Sequence, residues 1–323
     1  MTDAARAGGP VAARSAADVV AHVVENLQRA VRAPRATLEL CVLCLIAEGH
    51  LIIEDFPGVG KTVLAKSVAR SLHLSFSRLQ FTPDLLPSDV TGVNVFNQRS
   101  GEFEFRPGPV FAHVLLVDEI NRASPKTQSA LLEAMQEAQV TIDGVTYPLE
   151  RPFFVIATQN PIEYEGTYPL PEAQLDRFAA MLSLGYPPFG EEARMLAEQT
   201  TAPPLDQLEA VADRDDLLAA IEAARRVYVE ESVGEYVVTI VRHTRESSLL
   251  ALGASPRAGI ALLRVAKARA VALGRDYVIP EDVQSVASTV LAHRVIVAPE
   301  ARAAGMRGED AVERAVAEIR APA

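Results

Sequence analysis

The chain of 323 residues is poor in cysteine and contains no long apolar run. Its two cysteines, Cys41 and Cys44, are too few for a disulfide framework. No second pair and no histidine lies near them, and apolar residues surround them at helical spacing, so we interpret them as buried cysteines of a core helix.

No apolar run approaches the ~18 residues that cross a bilayer. The N-terminus also lacks a hydrophobic signal core, and we therefore expect a cytoplasmic protein.

Lysine is also scarce, and acidic residues outnumber basic ones. The formal net charge is −11 at pH 7, and the only lysines are Lys61, Lys66, Lys126 and Lys267. This balance argues against a free-standing binder of duplex DNA, which usually carries a basic footprint, although it leaves a local basic patch open. With 49% hydrophobic and 23% charged residues, the composition is that of a globular protein with a real core.

The order of apolar segments predicts two folded parts. Short apolar runs alternate with helix-length segments as far as Pro187-Pro188, which indicates βαβ units and a parallel sheet covered on both faces. Helical patterns alone follow. We predict an α/β fold with a mobile tail at 1–15, an αβα sandwich at 16–187 and a smaller all-α domain at 188–323. Strands are predicted at 51–53, 75–80, 113–117, 153–157 and 180–184, and helices at 36–47, 125–138, 191–199, 214–228, 232–245, 256–273 and 280–294.

Two hairpins interrupt the alternation. One is Thr141–Tyr147, in which Asp143-Gly144 stands between β-prone flanks, a strong signal for a tight hairpin turn. The other pairs Val93–Phe96 with Phe103–Phe105. On the residues alone, the second hairpin is less certain than the first, and a plain surface loop remains the alternative for both.

A glycine-rich segment follows the first predicted strand and precedes a helix. Glycines let backbone N–H groups close on phosphate oxygens, and the N-terminus of the new helix favours an anion. Lys61 would reach the β- and γ-phosphates, and the Thr62 hydroxyl would hold Mg²⁺. The predicted nucleotide-binding residues are Pro57, Gly58, Val59, Gly60, Lys61, Thr62 and Val63.

This loop departs from the usual pattern at its first position. A glycine usually stands there, and here the residue is Asp55. Aspartate tolerates unusual backbone angles better than most residues, so the turn can survive. A carboxylate aimed at the phosphates would repel them, however, and would lower the affinity for ATP.

Two further predicted strands end in polar residues. Asp118 and Glu119 close an apolar run, at the strand edge where open α/β sheets bind ligands. Asp118 would hold Mg²⁺ and Glu119 would polarise the attacking water. Asn160 follows the next buried strand. If that strand lies beside the acid-bearing one, Asn160 would orient the water; otherwise it is a turn residue before Pro161.

Two arginines, Arg177 and Arg257, are by default interpreted as ordinary surface residues. Arg177 stands just before a predicted strand, and Arg257 lies in the first turn of a helix in the all-α part. In an oligomer, Arg177 could project into the neighbouring subunit's site and stabilise charge on the transferring phosphoryl group. Arg257 could link the position of a lid to the nucleotide state.

Together these residues resemble the AAA+ ATPases, and more narrowly the MoxR family. The resemblance covers about residues 20 to 295, and the DEINRA and LPEAQLDRF stretches are far more specific than the phosphate-binding loop. The matching segments are Pro57–Thr62, Asp118–Gln128, Ala157–Pro161, Leu170–Phe178 and Ser255–Arg257.

The resemblance implies a ring, expected to be a hexamer, with ATP and Mg²⁺ bound between subunits and a helical lid after the αβα domain. It makes Lys61, Thr62, Asp118 and Glu119 Walker residues, and gives the sensor 1, arginine-finger and sensor 2 roles to Asn160, Arg177 and Arg257. The two hairpins fall where this group inserts pore-facing elements. MoxR-type proteins resemble chaperones that remodel or activate client proteins, often with a von Willebrand factor A domain partner.

Two other functions remain open at this point. A DNA-acting AAA+ motor shares the core, although the acidic balance and few lysines disfavour nucleic acid as a partner. A nucleotide-gated binding module with negligible turnover is the other, motivated by Asp55.

Overall fold

The computed structural model describes residues 14–161, 167–198 and 203–322. Most of the tail predicted at 1–15 lies outside these ranges. The strands are β1 (Leu51–Glu54), β2 (Phe76–Gln80), β3 (Gly92–Asn97), β4 (Glu102–Pro107), β5 (Val114–Asp118), β6 (Gln139–Ile142), β7 (Val145–Pro148), β8 (Phe154–Gln159), β9 (Ala180–Leu182), β10 (Leu250–Leu252) and β11 (Ile296–Val297). The helices are α1 (Ala16–Ala30), α2 (Arg35–Ile46), α3 (Lys61–Ser71), α4 (Pro87–Thr91), α5 (Pro125–Glu137), α6 (Glu172–Leu175), α7 (Phe189–Glu198), α8 (Arg214–Arg226), α9 (Glu231–Glu246), α10 (Pro256–Ala272), α11 (Pro280–Leu291), α12 (Pro299–Ala303) and α13 (Gly308–Glu318).

Five strands form one parallel sheet in the order β2-β5-β8-β1-β9. Leu51 of β1 is in register with Ile156 of β8 and with Ala180 of β9. Because all five strands run the same way, their carboxyl ends share one edge of the sheet and their amino ends share the other. The predicted parallel sheet is confirmed.

Helices cover both faces of this sheet. Successive side chains of a strand point to opposite faces, and along β1 they enter two different apolar clusters: Leu51 and Ile53 join one, and Ile52 joins the other. The first cluster extends through α1, α2 and α3 to the C-terminal helices, whereas the second contains α5. This arrangement is the predicted αβα sandwich. The division at residue 188 stays a prediction, because the first cluster is continuous across it.

The C-terminal part is helical, as predicted, with one correction. We expected no strand after Pro187-Pro188, but β10 and β11 pair there in antiparallel fashion. They are only three and two residues long, too short for a period-2 pattern to be visible in the sequence. The predicted helix 280–294 also ends earlier, as α11 closes at Leu291 and a 3₁₀ turn, Ala292–Arg294, follows.

Both predicted hairpins are present. In the pair β6–β7, Asp143 and Gly144 have positive φ angles of 50° and 81°, the backbone that a tight two-residue hairpin turn requires. In the pair β3–β4, residues 92–97 are in register with 102–107. The hairpins pack on each other, since the rings of Phe105 and Tyr147 stack with centroids 4.1 Å apart.

The two cysteines lie in the apolar core, as interpreted from the sequence. Cys41 and Cys44 are fully buried and unpaired on α2. Burial raises the pKa of both thiols, that of Cys44 to about 12, so both remain protonated and unreactive. Within the described ranges, no helix combines the length and apolarity needed to cross a membrane.

His50, which precedes β1, makes stability depend on pH. Its Nδ1 accepts the N–H of Val155 (3.1 Å), so Nε2 carries the hydrogen and donates to the carbonyl of Met135 (3.1 Å). Burial lowers the pKa of His50 from 6.5 to about 4. Between these values the unfolded chain binds a proton that the folded chain does not, so stability falls as pH falls.

We expect this residue to lower the free energy of unfolding by about 1–2 kcal/mol between pH 6.5 and pH 5. Urea unfolding at both pH values measures the change, and His50→Gln should remove this part of it. The matched control is His22→Gln, which changes an exposed histidine of α1. An unaltered pH dependence in His50→Gln would contradict the assignment.

Candidate nucleotide-binding site

The loop between β1 and α3 has the geometry of a phosphate cradle. Gly58 and Gly60 have φ angles of 86° and 96°, a region that favours glycine, and α3 begins directly after them at Lys61. A Cβ built on either glycine would meet no atom within 4 Å, so the space beside the loop is open. The Lys61 ammonium donates to the carbonyl oxygen of Asp55 (2.6 Å), which holds the side chain back along the loop.

Asp55 does not face the phosphate cradle. Its side chain is 4% exposed, and its Oδ2 accepts the N–H groups of Leu184 (2.6 Å) and Gly185 (2.9 Å) and the hydroxyl of Ser183 (3.0 Å). Its Oδ1 accepts the N–H of Phe56 (3.1 Å). The carboxylate is therefore not aimed at the phosphates, so the condition for the expected repulsion is not met, and the effect of Asp55 on ATP affinity stays a prediction. The Asp55 carboxylate instead accepts hydrogen bonds from donors just beyond β9, and these bonds hold the first residue of the loop in place.

The two acids lie at the carboxyl end of β5. Asp118 is 8% exposed and accepts a hydrogen bond from the Thr158 hydroxyl (3.3 Å) on β8. The guanidinium of Arg78 on β2 pairs with its other oxygen at 2.7 Å. Glu119 has a positive φ of 56°, and its N–H donates to Thr158 (3.0 Å). A non-glycine residue in this region is uncommon and indicates a local constraint.

The Glu119 carboxylate is held from two sides. Gln80 of β2 donates to it at 2.8 Å, and Arg122 pairs with it at 2.9 Å. Sequence reasoning missed these partners, together with Arg78 and Thr158. A signal existed for two of them, because Arg78 and Gln80 stand two apart in β2 and therefore point to one face of the sheet.

Asn160 lies between the loop and the acids. It follows β8, which pairs with β1 on one side and β5 on the other. A water-orienting role for Asn160 required that its strand lie beside the strand that carries the acids, and β8 does lie beside β5. The role itself stays a prediction.

The residues present fit a magnesium nucleotide. Thr62 lies in the first turn of α3 and Asp118 ends β5, so a hydroxyl and a carboxylate are supplied from neighbouring parts of one edge. The described part of the chain contains no group of three His, Cys, Asp or Glu residues that could hold a metal alone. Mg²⁺ is commonly bound by one or two protein groups with water and substrate phosphates, which suits this donor set.

Arg177 and Arg257 are not at this edge. Arg177 precedes β9, at the amino edge of the sheet, where its Nε donates to Gln136 (3.1 Å). Arg257 lines the same cavity as Arg177, together with residues 47–50, which precede β1. The structure thus brings the loop, the acids and Asn160 together and places both arginines at the opposite edge.

Asp176 attaches this arginine-bearing segment to the C-terminal helices. Its carboxylate accepts the hydroxyl of Ser255 (2.8 Å), the N-cap residue of α10, and pairs with Arg294 at 3.2 Å. Burial lowers the pKa of Arg294 to about 10, opposed by the charge of Asp176, so the guanidinium remains charged at neutral pH. Arg294 also donates to the carbonyl of Phe178 (2.6 Å).

Comparison with known proteins agrees with this geometry. Residues 50–180 match the ATPase family associated with various cellular activities (AAA), and residues 242–315 match the AAA lid domain. The chain is 42% identical over 294 residues to the chaperone MoxR1 of Mycobacterium tuberculosis, covering 88% of this chain and 78% of that protein. The chain belongs to the MoxR family of AAA+ ATPases.

Other relatives share nearly the full length of this MoxR-family chain. The uncharacterized protein YeaC of Bacillus subtilis is 49% identical over 299 residues, 93% of each protein. Protein MoxR of Methylorubrum extorquens is 30% identical over 312 residues, covering 87% of this chain and 89% of that one. A crystal structure from Cytophaga hutchinsonii, provisionally named an ATPase, superposes with a TM-score of 0.88 at 39% identity over 95% and 96% of the two chains.

The role of Asp55 can be tested by replacing it with the glycine usual in such loops. We expect Asp55→Gly to lose about 2–3 kcal/mol of stability, because the N–H groups of Leu184 and Gly185 lose a charged acceptor. ATP affinity should fall or stay the same. Asp55→Asn, which keeps one acceptor oxygen, should lose about 1 kcal/mol. Chemical denaturation and ATP titration measure both quantities, and tighter ATP binding by Asp55→Gly would restore the repulsion hypothesis.

Proposed function

We propose that this MoxR-family chain is an ATP-hydrolysing chaperone whose active site is shared between two copies. The observation that carries the proposal is the strand order. With β8 between β1 and β5, the phosphate cradle, the acids and Asn160 meet at the carboxyl edge. The same parallel arrangement leaves Arg177 at the amino edge.

At the carboxyl edge, each residue has a distinct task in the proposal. The backbone N–H groups of 58–63 would bind the phosphates, since Pro57 has no N–H to donate, and Lys61, which now donates to the carbonyl of Asp55, would reach the β- and γ-phosphates. Thr62 and Asp118 would hold Mg²⁺, which would supply positive charge against the phosphate oxygens. Glu119 polarises the attacking water by accepting its proton, and Asn160 orients that water.

The arginines require a second copy. Even the four residues of β1 span about 13 Å between the two edges, so Arg177 cannot reach the cradle of its own chain in this arrangement. Arg257 shares a cavity with Arg177 and is subject to the same limit. We therefore assign both to the nucleotide of a neighbouring copy, in a ring that we propose to be a hexamer.

The client-contacting surface is assigned to the hairpin β3–β4. Phe96 and Phe103 are 51% and 71% exposed, and their rings meet edge to face with centroids 5.3 Å apart. Exposed aromatic pairs of this kind suit transient contact with unfolded segments.

The proposal also includes the remodelling of client proteins, a von Willebrand factor A domain partner and a cytoplasmic location. The divisions at 16–187 and 188–323 are proposed as its nucleotide-binding and lid domains.

Glu119→Gln tests whether the chain hydrolyses ATP by this mechanism. We expect ATP binding to stay near the wild-type level and phosphate release to fall at least about 100-fold, because the amide cannot accept a proton from water. A phosphate-release assay and ATP titration measure the two effects. The matched control is Glu133→Gln, an exposed glutamate of α5, which should leave turnover unchanged. Equal rates in wild type and Glu119→Gln would remove Glu119 from the mechanism.

Subunit mixing tests the shared site. We expect Arg177→Ala to bind ATP but hydrolyse it poorly, as arginine fingers contribute about 10³–10⁵-fold. Mixing it with Lys61→Ala subunits should recover some activity, because an intact cradle then faces an intact arginine at some interfaces.

The control mixture combines Lys61→Ala with Glu119→Gln. Both residues belong to the same edge of one chain, so every site in that mixture is damaged and no recovery is expected. Native mass spectrometry would establish that the copies mix. No recovery with Arg177→Ala in mixed assemblies would show that Arg177 does not act across an interface.

A further inference from the structure

The cavity at the amino edge of the sheet is lined by more basic residues than acidic ones. It has a volume of about 360 Å³ and lies between the segment before β1, the segment before β9 and α10. The whole chain, by contrast, has a net charge of −11. The charged residues lining the cavity are Glu48, Asp176, Arg177, Arg257, Arg264 and Arg294.

The two acids of this cavity are already paired. Glu48 accepts hydrogen bonds from Arg151 (2.6 Å) and Arg225 (2.7 Å), and Asp176 pairs with Arg294 (3.2 Å).

Three arginines remain without an acidic partner among residues 14–161, 167–198 and 203–322. Arg177 donates only to the neutral Gln136, and neither Arg257 nor Arg264 makes a hydrogen bond or ion pair within that part of the chain. Three uncompensated guanidinium groups around one cavity create a local positive field.

Arg257 and Arg264 are presented by one rigid helix face. They stand seven residues apart, about two turns or 10 Å along α10, and both are exposed. Leu262 and Val265 of the same helix are fully buried, which fixes its rotation. The Asp176–Ser255 hydrogen bond fixes its first turn against the segment that carries Arg177.

This arrangement suits an extended phosphate group. Arginine presents a planar fork that matches phosphate oxygens, and it keeps its charge at any physiological pH. The positive face lies at the sheet edge opposite the chain's own cradle, so a nucleotide bound in that cradle does not reach it. A second copy carrying a nucleotide at its carboxyl edge supplies such an anion.

We infer that Arg264, with Arg177 and Arg257, forms a three-arginine face that contacts the triphosphate bound to a neighbouring copy. This inference rests on the proposed function, and it adds Arg264 as a residue that touches the substrate across the interface. Arg264 lies in none of the sequence motifs that carry the family resemblance.

The first experiment compares Arg264→Ala, Arg264→Lys and Arg314→Ala in the full chain. We expect Arg264→Ala to lower kcat/KM for ATP at least tenfold and Arg264→Lys to recover part of the loss, since lysine keeps the charge without the fork. Arg314→Ala, which alters an exposed arginine of α13 that lines neither this cavity nor its neighbour, should match wild type. Kinetics of Arg264→Ala equal to those of Arg314→Ala would overturn the inference, and circular dichroism would verify that each variant folds.

The second experiment asks whether Arg264 acts across an interface. Mixing Arg264→Ala with Lys61→Ala should recover activity, as for Arg177→Ala. In a Glu119→Gln background, where hydrolysis is blocked, Arg264→Ala should raise at least tenfold the protein concentration needed for ATP-dependent assembly, measured by sedimentation. Unchanged assembly, or no recovery in mixtures shown to contain both copies, would overturn the inference.

The outcomes separate this inference from the proposed function. If Glu119→Gln abolishes hydrolysis while Arg264→Ala behaves like Arg314→Ala, the proposed function stands and the three-arginine face fails. If the wild type does not hydrolyse ATP, the proposed function fails, and ATP-dependent assembly still decides the role of Arg264. Inorganic tripolyphosphate is the probe for a free anion. Tripolyphosphate could bind to single copies in a way that depends on Arg264, while mixing Arg264→Ala with Lys61→Ala recovers no activity. That combination would overturn the assignment of Arg264 to a neighbour's nucleotide.

Discussion

Parallel pairing of five strands is the constraint on which the rest of the molecule depends. A parallel sheet has two chemically different edges, because every strand begins at one and ends at the other. In this chain the carboxyl edge carries Lys61, Asp118 and Glu119, and the amino edge carries Arg177 and Arg257. The groups suited to bind a nucleotide and the groups suited to act on one are thus kept a full strand length apart. That separation is the physical reason for proposing a site shared between copies.

The edge strand β9 connects the two edges through one aspartate at each end. Beyond its carboxyl end, Asp55 holds the N–H groups of Leu184 and Gly185 and so attaches the strand to the phosphate cradle. Before its amino end, Asp176 holds Ser255 and so attaches the same segment to α10. Short, charge-assisted contacts at the two ends of β9 therefore connect α10 with the loop that would hold the nucleotide.

Much of the candidate site was predictable because local sequence patterns carry it. The glycines of the cradle, the acids after an apolar run and Asp143-Gly144 in its hairpin each depend on a few adjacent residues. Features that depend on contacts between distant segments were not predictable in this way. The hydrogen bonds of Asp55 to residues about 130 positions away turn its carboxylate away from the phosphates, although its place in the loop had suggested that it faces them.

By itself, the sequence determined the family and the parallel αβα core and indicated the candidate phosphate-binding residues, because each depends on a contiguous motif or on hydrophobic periodicity. Alternation along β2 already put Arg78 and Gln80 on one face of the sheet. Tertiary structure decided that this face meets the two acids, that β8 separates β1 from β5, and that Arg264 joins the arginines without an acidic partner. Strand order and side-chain pairing arise from packing between segments far apart in the chain, and no local pattern of residues encodes them.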